Sequence, residues 1–88
     1  MSAEVAELEY KRALKQQELV LKEERETQEL ISSAAEATAS LGLSQASVAS
    51  IVGILSNDPN VLEQKDRSRL MRLHVAACLK ALEAFEKV

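Results

Sequence analysis

The chain has 88 residues, a formal charge of −3, a single Cys, a single His and only two aromatic side chains, Tyr10 and Phe85. One small domain is expected, 1–88, with a core of Leu, Val, Ile and Ala. A lone Cys78 excludes an internal disulfide. No run approaches a membrane span, no polybasic arm or acidic tail is present, and the charged N-terminus lacks the apolar stretch of roughly 7–15 residues of a secretion signal. The expected location is cytoplasmic, with no cofactor, no membrane association and no small-molecule substrate.

From Ser2 to about Ala39 or Ser40 the chain carries no Gly or Pro and is dense in Ala, Leu, Glu, Lys, Gln and Arg, the residues that lose least on entering a helix. At about 100° per residue, Glu4, Glu7, Lys11, Lys15, Glu18, Lys22, Arg25, Glu29 and Ser33 share one solvated face. Glu7–Lys11, Glu18–Lys22 and Arg25–Glu29 are spaced for i,i+4 pairing. The opposite side carries a stripe running Ala3, Ala6, Tyr10, Ala13, Leu14, Gln17, Val20, Leu21, Glu24, Thr27, Gln28, Ile31, Ala34, Ala35. Such a stripe calls for a partner helix, although Gln17, Glu24 and Gln28 break a strict zipper. A second apolar line, Leu8, Leu19, Leu30 and Leu41, repeats every eleven residues, so these leucines stay near one side of a straight helix.

At roughly 1.5 Å per residue such a helix spans about 55–60 Å, more than the remaining chain is expected to cover. Self-association as a dimer or higher oligomer is therefore predicted. Its candidate contacts are Tyr10, Leu14, Val20, Leu21 and Ile31, with Leu8, Leu19 and Leu30 as the alternative line.

Leu41-Gly42 marks the end of this helix, with Gly42 free to take a left-handed cap. Ser44 then caps a short helix over about 45–56, whose Val48, Ile51, Val52 and Leu55 follow helical spacing. Being mostly apolar, it is expected to be buried. Asp58-Pro59 begins a third helix reaching about Lys87. Its apolar side is expected at Leu62, Leu70, Leu73, Ala77, Cys78, Ala81, Leu82, Ala84 and Phe85, widened by Met71 and Val75. The predicted fold is all-α, an antiparallel helical hairpin or three-helix bundle completed by oligomerisation.

Chemistry-bearing residues are few. His74 and Cys78 are four apart, a nucleophile arrangement only with an orienting third group and a pocket; packing is the expected role. Lys65, Arg67, Arg69 and Arg72 form a basic cluster with no acid from Arg67 to Leu82. Arg67 points elsewhere on the wheel, which leaves Lys65, Arg69 and Arg72 to dock a charged partner or to face the first helix's glutamates.

Within Leu43–Ile54, LSQASVASIVGI, the residues Gln45, Ala49 and Gly53 resemble the polar, small and turn-glycine positions of a helix-turn-helix. That resemblance implies a DNA-binding regulator of phage or plasmid type, using 43–62. It breaks down after Gly53, where Ser56-Asn57-Asp58-Pro59 interrupts the place of a recognition helix. Two helices broken at Asn-Asp-Pro in a chain this short also look like type III secretion needle subunits, which implies a structural subunit of a secretion system or phage particle. The leading expectation is a non-enzymatic, self-associating adaptor or regulator working through protein–protein contacts.

Overall fold

The computed structural model describes residues 2–86. It contains α1 (Ala3–Ser40), α2 (Gln45–Ser56) and α3 (Pro59–Glu86), and no strand among the described residues. The expected end of the third helix near Lys87 lies outside the described residues.

Each boundary has a local cause. Ser2 Oγ accepts the Val5 N–H at 3.2 Å and starts α1, with Glu4 in the positively polarised first turn. At the other end the Leu41 N–H bonds back to the Ala37 and Thr38 carbonyls, and the Gly42 N–H to that of Ala39. Gly42 has φ +80°, a conformation that glycine takes at little steric cost. Ser44 Oγ accepts the Ser47 N–H at 3.2 Å. The Asn57 side chain donates to the Gly53 carbonyl at 2.8 Å and closes α2. Asp58 Oδ1 accepts the Asn60 N–H at 2.9 Å, across Pro59 at the first helical position, which needs no donor of its own.

The three helices form a rod of 63 × 19 × 16 Å, two helices thick. Both α2 and α3 pack on α1, and they touch each other little. Neighbouring residues fix the direction. Thr27 lies with Asn60, Val61 and Gln64, whereas Glu9, Ala13 and Gln16 lie with His74. Numbers fall along α1 as they rise along α3, so the helices are antiparallel.

On α1 the side turned inward is Ala6, Tyr10, Ala13, Gln17, Val20, Glu24, Thr27, Ile31, Ala34 and Thr38, all buried or half-buried. The steps alternate between four and three, the spacing of a supercoiled seam. On α3 the inward side is Val61, Gln64, Ser68, Met71, Val75, Cys78 and Leu82, spaced alike. The tightest points are small: Ala6, Ala13 and Ser68 are 2%, 1% and 0% exposed. Small side chains at a seam allow two helix backbones to approach closely.

Three expectations are corrected. First, α2 has no buried residue, because a structure two helices thick gives a short helix one neighbour and leaves its far side in solvent. Second, the inward side of α3 is offset from the expected one. Met71, Val75, Cys78 and Leu82 do face α1, but Leu62, Leu70, Leu73, Ala77 and Ala84 are exposed. Third, α1 is not too long for the rest of the chain. Its 38 residues are matched by the 12 of α2 and the 28 of α3, laid one after the other.

Candidate functional site

The residues expected to mediate self-contact divide into two groups. Ile31 is buried, and Tyr10, Leu14, Val20 and Leu21 are half-buried on or beside the seam with the chain's own return helices. Leu8, Leu19 and Leu30 remain in solvent, at 47%, 65% and 72% exposure. The cause lies in the face. In the three- and four-residue register of the seam, Leu8 and Leu19 fall on the side turned away from the return helices and Leu30 on its flank.

The exposed apolar side chains extend beyond α1. Leu41 and Leu43 are exposed at the turn after α1, and Ile54 is exposed near the other end of α2; no charged residue occurs from 37 to 57. A groove lined by Leu30, Ile31, Ala34, Leu55 and Val61 opens where α2 hands over to α3. On α3, Leu70 and Leu73 point away from α1. Against this, the buried apolar residues are Ala6, Ala13 and Ile31.

The area is correspondingly high. A compact chain of 9.7 kDa exposes about 5,100 Å². This one exposes 6561 Å².

All three cluster cations, Lys65, Arg69 and Arg72, are exposed. Arg69 reaches Asp66 of its own helix at 3.7 Å, and Arg72 crosses to Glu24 of α1 at 3.6 Å. Arg67 lies apart from them, beside Thr27 and Asn60. On the outer face of α1, Glu7 and Lys11 pair at 3.0 Å as spaced, while Lys22 turns to Glu26 at 4.0 Å and not to Glu18.

His74 Nε2 and Cys78 Sγ are 3.8 Å apart. His74 borders a shallow groove with Glu9, Arg12 and Gln16, which Cys78 does not line. Among the described residues, no group of three or more His, Cys, Asp or Glu side chains is placed to hold a metal ion. No described helix is long and apolar enough to cross a membrane. Gly53, the turn position of the helix-turn-helix resemblance, is an ordinary residue inside α2 without a positive φ.

No protein-family profile, curated protein or solved structure matches the chain.

The outer line of α3 is what sequence reasoning assigned wrongly, since its leucines were expected to face α1. The signal was present in Val61, Gln64, Ser68, Met71, Val75, Cys78 and Leu82, whose steps match the α1 stripe. The polar Gln64 and Ser68 disguise it.

Proposed function

We propose that this chain is a non-enzymatic helical protein that works through protein–protein contact, in the first instance with further copies of itself. The observation that carries this reading is the mismatch between a seam of small and polar residues and the many large apolar side chains left outside it. Among the described residues the seam buries Ala6, Ala13 and Ile31 as its apolar residues, while Leu19, Leu30, Ile54, Leu70 and Leu73 are each more than half exposed. Surface apolar residues scattered singly are ordinary; lines of them along helices mark interaction faces.

The area agrees in magnitude. The surface beyond that of a compact chain is roughly 1,400 Å², and a stable interface removes about 800 Å² or more from each partner. Leu8, Leu19 and Leu30 are available for such contact. Lys65, Arg69 and Arg72 supply a basic flank for an acidic surface on another protein. The location consistent with this role is the cytoplasm.

Light scattering during size-exclusion chromatography, across a wide concentration range, tests the reading. A dimer or larger closed species supports it. A 9.7 kDa monomer at every concentration defeats it.

A further inference from the structure

The chain's single His and single Cys stand on successive turns of α3, with His74 Nε2 3.8 Å from Cys78 Sγ. His74 is exposed and Cys78 half-buried, so the space between them is open to solvent. A nitrogen and a sulfur donor thus converge on one point at the edge of the seam.

We propose that His74 and Cys78 chelate one thiophilic ion of the zinc class, with water in its remaining positions; the inference is independent of self-association. The distance carries it first. Bonds of about 2.3 Å to sulfur and about 2.0–2.1 Å to nitrogen separate the two donors by about 3.6 Å at a tetrahedral angle and about 3.8 Å at 120°. The observed separation fits one shared ion without moving the backbone.

The scaffold and the donor set agree with this. Residues four apart on a helix are neighbours on its surface, so folding of α3 sets the spacing before any ion arrives. Thiolate and imidazole suit zinc, whereas magnesium and calcium require oxygen ligands. His74 also borders an open groove of about 260 Å³ with Glu9, Arg12 and Gln16, room for several waters at about 30 Å³ each. The charges of Glu9 and Arg12 offset one another there. Binding exchanges a proton for the metal. The Cys78 thiol gives its proton to water and forms the S–Zn bond, and neutral His74, protonated on Nδ1, donates its Nε2 lone pair. Two protein ligands make an open site, unlike the closed four-ligand sites of structural zinc.

The test titrates Cd²⁺ into the reduced full chain and follows sulfur-to-metal charge-transfer absorption. The band is expected to saturate at one ion per chain, and Cys78→Ser should abolish it. Loss of an outer partner alone costs a metal site about 10–100-fold in affinity, so His74→Ala should weaken binding at least about tenfold. Adding Ala76→His to His74→Ala restores an imidazole two residues from the thiol, where helical side chains do not face each other. This variant should bind no better than His74→Ala. Residues 74 and 76 are exposed, so helix content by circular dichroism should be the same in all three chains. Zn²⁺ should raise the Tm of the parent and leave that of the variants unchanged, because the ion binds the ordered pair in preference to the unfolded chain.

Equal Cd²⁺ affinity in the parent and both histidine variants would show a thiolate acting alone and would overturn the chelate. A parent chain that gives no charge-transfer band would overturn it as well.

Discussion

Arg72 of α3 reaches across the hairpin to Glu24 of α1, with 3.6 Å between Nη2 and Oε2. Glu24 occupies a position on the α1 seam, and its side chain is only 25% exposed, against 57% for Arg72. An acid therefore stands where a zipper would place Leu, tolerated because a cation from the opposite helix reaches over it.

This pair should contribute little. A double-mutant cycle with Glu24→Ala and Arg72→Ala is expected to give a coupling of less than about 1 kcal/mol, shrinking further in high salt. Glu24→Leu should instead raise stability by about 1 kcal/mol, since it adds apolar area at a partly covered seam position. Urea denaturation at low protein concentration measures both.

Ser68 is fully buried, and its hydroxyl has no hydrogen-bond partner. Ser68→Ala removes an unsatisfied polar atom without opening a cavity of note, so stability should stay level or rise by about 1 kcal/mol. Ser68→Leu should cost about 1–3 kcal/mol, because a large side chain forces apart helices that meet through Ala and Ser. A Ser68→Ala variant losing more than about 1 kcal/mol would mean that the hydroxyl has a partner after all.

The two glycines should respond in opposite directions. A Cβ on either would meet nothing within 4 Å, so sterics with neighbours play no part. Gly42 holds φ +80°, and Gly42→Ala should cost about 1 kcal/mol in backbone strain. Gly53 is interior to α2, and Gly53→Ala should gain about 0.5–1 kcal/mol from helix propensity. Thermal unfolding of the two variants, matched in concentration, separates them.

Asp58→Ala should destabilise by about 0.5–2 kcal/mol through loss of the cap on the Asn60 N–H, with Asp58→Asn much milder. The cap joins two helices that otherwise touch little, so hydrogen exchange in the first turn of α3 should accelerate in the Ala variant. Unchanged exchange there would argue that Pro59 alone starts the helix.

The sequence is most readable where a single residue decides the outcome. Gly42, Ser44 and Asp58-Pro59 mark helix ends through local hydrogen bonding and dihedral preference, and the boundaries follow from them within a residue or two. The choice of inward face is less readable, because it belongs to two helices at once. On α1 the stripe is correctly placed even though Gln17 and Glu24 interrupt it, apart from Ala3 and Gln28, which are exposed. On α3, leucines at 62, 70 and 73 outweigh Gln64 and Ser68 on any apolarity scale, yet the polar pair lies on the side that keeps register with Ala13, Val20 and Thr27. The burial of α2 was misjudged for a related reason: apolar composition shows a need for cover, not whether a second layer is there to provide it.

Because one continuous helix runs against two in succession, the length of the rod is set twice. Removing residues 18–24 from α1 alone would leave seven residues of the return without a counterpart. Removing 68–74 from α3 as well, the stretch lying roughly opposite, would keep every three- and four-residue step in phase on both sides. Such a paired deletion should fold as a rod about 10 Å shorter, whereas either deletion alone should not. Descendants of this chain are therefore expected to change length in matched heptads.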